Sequence, residues 1–445
     1  MNSEWKGGEY SNAILVVRKI NEKIDTKYFI NYERYIMNYQ KYYIKDVKEK
    51  SSEKLFNVIS CFAGGGGSST GYRLAGGNIL LINEFIEEAI STYQANFNDT
   101  KILIDDIKKY SSNDFLKMAG LKVGELDLLD GSPPCSAFSL SGKRNKGWKG
   151  YVEDTTQTEI NFETGGVIQT GEKKIKDGIK KYSDKTQENV EDLFLEYVRI
   201  AEGIQPKVIV AENVKGITFG ESKKKLFEFI NAFEKIGYDV SYQVLNAADF
   251  GTPQARERTI FICVRKDVAL KIGLNFMNIN GIFPSGTVSE HVSMREAFEG
   301  IENDPEEVKM LSDYVEGSFQ KKFLSLLPFN PEKPIKPSDK EFRVFNPRGS
   351  CFNMIRPAPD LPSPTLTQQG QKKGLSGVFH YAENRKPTIV EFKRLMGMPE
   401  DFILTGDYDQ QAERLGRMVA PKMMKSIASS IYKNVLLPYN KKQLL

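Results

Sequence analysis

From Lys54 onward the chain alternates short apolar runs with longer amphipathic ones. KLFNVISCF is continuously apolar and short, which predicts a buried strand, and SSTGYRLAGG predicts a short helix stopped by glycine. NILLINE, KILIDD and ELDLLDG predict three more strands, separated by the helical stretches EEAISTYQANF and SNDFLKMAG. The alternation continues through the helix ENVEDLFLEYVRIAEGI, the strand PKVIVAENV and the helix ESKKKLFEFINAFEKIG, and closes on the strands YDVSYQVLNA and RTIFICVRK. Strands that are apolar on both faces need helices on both sides. The pattern therefore predicts an α/β fold with a doubly wound, mostly parallel sheet.

Two stretches break the rhythm. Ser132 to about Lys185 is rich in Gly, Lys and Thr and too long for an ordinary connection. After Arg265 the helical patterns shorten and prolines accumulate to about Gln369, with PFNPEKPIKP as a turn cluster. The expected division is an N-terminal extension of unassigned role (1–53), a main domain (54–266), an irregular subdomain with its connection (267–375), and helices returning to the main domain (376–445). A doubly wound sheet with a smaller irregular subdomain is the expected architecture.

Composition narrows the class. The 445 residues include four scattered cysteines and two histidines, with no CxxC pair. That excludes a disulfide framework and gives no set of metal ligands, so no metal is expected. No run approaches the roughly 20 apolar residues of a membrane span, and Met1–Tyr10 is polar and glycine-rich rather than a signal peptide. A cytoplasmic protein with reduced thiols and no membrane partner is expected. The net charge of +4 permits an anionic partner without requiring one. The basic stretches SGKRNKGWKG, GEKKIKDGIKK and QGQKKG are, taken singly, what solvated loops look like.

In an open α/β sheet, ligands bind at the carboxyl ends of the parallel strands. After the first strand comes CFAGGGGSSTG, where four glycines allow backbone to approach a ligand closely. Their spacing is neither GxGxxG nor GxxxxGK[ST], which favours a nucleoside without phosphates over a pyrophosphate. Asn83-Glu84 ends the second strand and suits ribose hydroxyls or a helix cap. Asp105, Asp106 and Ile107 end the third and suit an adenine ring or, again, a cap. The fourth strand leads into DGSPPCSAF, where Pro133 and Pro134 precede Cys135 on stiff backbone that lacks amide donors. The fifth ends at Glu212-Asn213.

In this order, these residues resemble the cytosine-5 DNA methyltransferase family, whose members use S-adenosylmethionine. FAGGGG is similar to its cofactor loop, GSPPCSAFS to its prolyl-cysteine loop, ENV to its glutamate motif and GTPQARERTIFI to its QxRxR motif. LPSPTLTQ and RKPTIVEFKRLMGMPEDF resemble its C-terminal motifs, and the resemblance runs from about Lys54 to the C-terminus. Two positions depart from the pattern: Ser136 follows the cysteine where Gln is usual, and Arg417 in LGRMVAP stands where the family has Asn.

The resemblance implies a Rossmann-like S-adenosylmethionine-dependent methyltransferase fold, with the irregular segment as a target-recognition subdomain. It implies Cys135 as a thiolate that attacks cytosine carbon 6 and Glu212 as the group on ring nitrogen 3. Asn213 fixes the loop, Arg258 faces the base carbonyl, and Arg256 serves the scaffold or the DNA backbone. The cofactor is then held by Phe62, Ala63, Gly64, Gly65, Gly66, Gly67, Asn83, Glu84, Phe85, Asp106, Ile107, Ser132 and Pro134. Ser136, Lys143, Arg144 and Lys146 close over DNA, with the target base flipped out of the duplex. Arg343, Arg348 and Arg356 read guanines or touch phosphates.

The expected partner is double-stranded DNA carrying a short specific site, with a cognate restriction endonuclease if the chain belongs to a restriction-modification system, and a monomer as the working unit. The same chemistry on cytosine in transfer RNA is the second reading. A non-catalytic nucleic-acid-binding accessory protein is the third, and it does not account for the thiol.

Overall fold

The computed structural model describes residues 39–133, 157–160, 167–170, 190–275, 277–316, 319–347, 354–367 and 377–443. Seven strands form the central sheet: β1 (Phe56–Cys61), β2 (Gly77–Glu84), β3 (Lys101–Ile104), β4 (Leu128–Gly131), β5 (Val208–Val214), β6 (Tyr238–Asn246) and β7 (Glu257–Arg265). Their order is β3-β2-β1-β4-β5-β7-β6. All neighbouring pairs are parallel except those of β7, which runs antiparallel to both β5 and β6. Five strands fall within the runs that predicted them, and β2 and β7 begin one residue earlier, at Gly77 and Glu257.

The apolar strands bury both faces by alternation. Val58, Leu128, Val208 and Val210 face one core layer, with Tyr72 and the C-terminal Met423, Met424 and Ile427. Ile59, Leu129, Ile209 and Ala211 face the other, with Phe115, Tyr197, Leu226 and Phe233. The helices Gly67–Leu74 and Pro421–Ile431 cover the first face, and Ser112–Ala119, Val190–Ile204 and Lys223–Lys235 the second. Local chemistry starts the returning helices. Thr388 and Asp407 cap Ile389–Leu395 and Tyr408–Arg417 with their side chains, and Pro421 opens the next helix, where a missing N–H costs nothing.

The expected boundaries shift. Tyr39 to Ser51, set apart as an extension, pack on the main body. Tyr42 donates its hydroxyl to Gly397 O (2.6 Å), Ile44 N donates to Asp401 Oδ1 (2.8 Å), and Val47 lies in the first core layer. Val268, Ile279, Met294 and Leu311 lie in that layer too, so the break in rhythm after Arg265 does not end the main core. A separate small core gathers Val315, Phe323, Leu327, Phe342, Met354 and Phe379. Within the stretch read as irregular, Gln157–Ile160 and Val167–Thr170 pair as a two-stranded antiparallel ladder.

Candidate active site

The carboxyl ends of β1, β2, β3, β4 and β5 share one rim, as parallel strands must. At β1 the chain turns through Phe62, at φ +55, and Gly64, at φ +56, before the helix begins at Gly67. A left-handed phenylalanine is uncommon and marks a turn that the surrounding structure enforces. The glycine run fits a ligand on one side and the chain's own C-terminal segment on the other. A Cβ at Gly64 would meet nothing within 4 Å, whereas at Gly65 it would lie 2.3 Å from Met418 Cε and at Gly67 2.4 Å from Val419 O. LGRMVAP thus closes on the glycine loop through Met418 and Val419. Arg417 turns away to pair with Glu413 (2.6 Å).

Glu84 is the anchor at β2. Its Oε2 accepts from Gly64 N (2.8 Å), and its Oε1 accepts from Phe85 N and Ile86 N (both 2.9 Å). A carboxylate offers about four acceptor positions, so Glu84 keeps capacity for a ribose hydroxyl while it holds the glycine loop. Phe85 beside it is 41 % exposed, an uncovered ring at the rim. Open space at Gly64, a fixed carboxylate and a free aromatic face fit the nucleoside of S-adenosylmethionine.

Three residues expected on the cofactor side also serve the fold itself. Asn83 is buried, and its amide joins β2 to the end of β3 by donating to Leu103 O and Asp105 O (both 3.0 Å). Ile107 is buried in the second core layer rather than open to a ring. Asp106 accepts from Lys108 N (3.0 Å) and caps the turn Ile107–Lys109, the capping alternative. Ala63 is buried, and Phe62 packs edge-on to Tyr197 with centroids 6.3 Å apart.

At β5, Glu212 Oε1 lies 2.7 Å from Arg258 Nε, and both side chains are nearly buried. Burial pulls the Arg258 guanidinium down, against the charge and hydrogen bond of Glu212. Asn213 Oδ1 accepts from Val214 N (2.8 Å), while its buried Nδ2 has no partner among the described residues. Arg256 belongs to the scaffold. Fully buried, it donates to Leu366 O (2.7 Å) and Gly416 O (3.0 Å), and so ties the LPSPTLTQ and LGRMVAP segments together. Gln254 assists, donating to Leu395 O (3.1 Å) and accepting from Leu366 N (3.0 Å). Of the QxRxR motif, only Arg258 reaches the glutamate.

β4 ends at Gly131, followed by half-buried Ser132 and buried Pro133. Pro134, Cys135, Ser136, Lys143, Arg144, Lys146 and Arg348 lie outside the described residues. Arg343 is exposed, 3.8 Å from Asp339. Arg356 is corrected: it is 3 % exposed and spends its guanidinium on Leu327 O, His380 O, Glu383 O and Asn384 Oδ1, so it is a strut rather than a DNA contact.

Sequence reasoning passed over two features. Asp130 is a buried acid inside the apolar run ELDLLDG, and that placement was the available signal. The contact of Met418 and Val419 with the glycine loop leaves no local signal. No group of metal-holding side chains occurs among the described residues, and no helix among them is long and apolar enough to cross a membrane.

The model of the C-5 cytosine-specific DNA methylase family matches residues 56–157 and 176–433. Among curated relatives, the type II methyltransferase M1.HphI of Haemophilus parahaemolyticus is 28 % identical over 376 residues, covering 84 % of this chain and 86 % of its own. M.NgoFVII of Neisseria gonorrhoeae is 27 % identical over 392 residues, covering 86 % and 87 %. Among solved structures, the Dnmt2 methyltransferase of S. pombe superposes with a TM-score of 0.51 at 16 % identity, covering 88 % of this chain and 98 % of that one, a likeness of fold.

Proposed function

This chain belongs to the C-5 cytosine-specific DNA methylase family, and from that membership we propose the chemistry its residues perform. As a DNA cytosine-5 methyltransferase it works on a ring carbon that is a poor nucleophile. Addition of the Cys135 thiolate to carbon 6 makes carbon 5 enamine-like, a covalent catalysis. Glu212 hydrogen-bonds ring nitrogen 3 and supplies a proton as negative charge develops there. S-adenosylmethionine, when bound, supplies the methyl group; Glu84 and the Gly64 side of the glycine loop would hold its nucleoside. Loss of the carbon 5 proton, with water as the acceptor, then lets the ring expel the thiolate, and Glu212 regains its proton. Both histidines sit apart from this chemistry: His291 pairs with Asp249 and His380 stacks on Phe298 and Tyr381.

The observation that carries this reading is the Glu212–Arg258 pair, 2.7 Å apart at the carboxyl rim, two strands from the glycine loop. An arginine that fixes one carboxylate oxygen leaves the other to face a base. The reading extends to a modification enzyme acting on a flipped cytosine in a short duplex site, as a monomer in the cytoplasm, alone or beside a cognate endonuclease. The curated relatives named as type II methyltransferases support the pairing.

The test is expression in a bacterium lacking cytosine methylation, followed by deaminating conversion and sequencing of its DNA, with Cys135→Ser beside it. Protected cytosines in one short context, absent in the variant, are expected. Their absence with soluble, cofactor-binding protein would reject DNA as the substrate and turn attention to transfer RNA.

A further inference from the structure

We propose that Asp130 is a positioning residue for methyl transfer, locking the strand from which the prolyl-cysteine loop departs to the helix that follows the glycine loop. Its carboxylate is 2 % exposed. Oδ2 accepts from the Ser60 hydroxyl on β1 (2.6 Å), and Oδ1 accepts from the Tyr72 hydroxyl on helix Gly67–Leu74 (2.9 Å). From the opposite face Tyr197 donates to Leu129 O and Val210 O (both 3.1 Å), and a Cβ at Gly131 would lie 2.5 Å from its ring. Two buried tyrosines therefore clamp the last residues of β4. In sequence Cys135 follows Asp130 by five residues, with Pro133 and Pro134, whose rings fix φ, just before it.

An apolar residue here would pack without the cost of burying a charge, so packing alone does not explain the acid. Its neighbourhood does. Asp130 is in register with Val210, so Glu212, two residues further along β5, lies on the same sheet face. Ser60 on β1, Ser68 and Tyr72 on the helix, and Glu212 face Asp130 on its own side of the sheet, while the Cys61 thiol and Tyr197 lie near it on the other side. Burial raises its carboxyl to about 7, with the Ser60, Tyr72 and Ser68 hydroxyls opposing and the Glu212 charge adding. Above that pH both oxygens accept. Below it one carries a proton and the lock loosens.

The proposal rests on the cytosine-5 reading, and its test separates the two. Single-turnover methyl transfer to unmethylated genomic DNA is measured from pH 6 to 9 for wild type, Asp130→Asn and Tyr72→Phe, together with Cys135 alkylation by iodoacetamide, read by peptide mass. Both variants are expected to transfer about tenfold more slowly at pH 8, with altered Cys135 alkylation. Asp130→Asn also loses the rise in rate through pH 7. Tyr72→Phe removes one hydroxyl and keeps the test open if Asp130→Asn does not fold. Wild-type rates, pH profile and alkylation in Tyr72→Phe would overturn the lock. A wild-type protein that methylates no DNA would overturn the functional reading, and the alkylation rates alone would then decide the lock.

Discussion

Arg258 Nε and Glu212 Oε1 meet at 2.7 Å although the two residues are not opposite each other in the sheet. The register sets Ile260 against Glu212 and Arg258 against Val214, so the pair is diagonal across antiparallel β5 and β7. The arginine must lean along its strand to reach the carboxylate, which fixes the glutamate from one side. Arg258→Ala leaves a nearly buried carboxylate without its partner. Methyl transfer should fall about 10²-fold or more, the scale of losing a positioned acid, with cofactor binding retained. A variant with near wild-type single-turnover rates would remove Arg258 from the chemistry.

Gly65 and Gly67 are predicted to differ although both face the C-terminal segment. A methyl group at 65 meets the flexible end of Met418, whereas at 67 it meets the backbone carbonyl of Val419. Gly65→Ala should be mild and recover with Met418→Ala. Gly67→Ala should cost about 1–3 kcal/mol and weaken S-adenosylhomocysteine binding. Calorimetry and thermal melts on the three variants check the order; equal penalties at 65 and 67 would contradict the packing.

Arg256→Met is expected to act on stability and through it on the site. It strands Leu366 O and Gly416 O, about 1–3 kcal/mol for each group left unpaired in the interior. Urea unfolding should show a lower midpoint with an unchanged slope. An unchanged midpoint would mean that the two segments hold together without it.

Lys386 is buried above the Phe379 ring, 4.4 Å from its centroid, and burial lowers its ammonium to about 7. A base whose folded pKa lies below its unfolded value binds fewer protons when folded. Its penalty is absent above the unfolded pKa of about 10.4, grows as pH falls, and levels off below about 7. Lys386→Met should therefore gain stability over wild type progressively from pH 10 to 7 and by a constant amount below. A pH-independent difference in melting temperature would refute the depressed pKa.

By itself the sequence determined the strand order along the chain, the two-faced burial of those strands and the residue types at each strand end. These depend on local apolar runs and on glycine and proline chemistry, which act over a few residues. The antiparallel turn of β7, which brings Arg258 beside Glu212, was decided by tertiary pairing, because an apolar strand carries no mark of its direction. The same holds for arginines. Arg256, Arg258 and Arg356 look alike in the chain, yet one became a clamp, one a partner to the glutamate and one a strut. What separates them is which carbonyls and carboxylates distant parts of the chain deliver to each guanidinium. Tyr39, Tyr42 and Ile44 carry no local mark of their docking, because their partners Glu400, Gly397 and Asp401 lie more than 350 residues away.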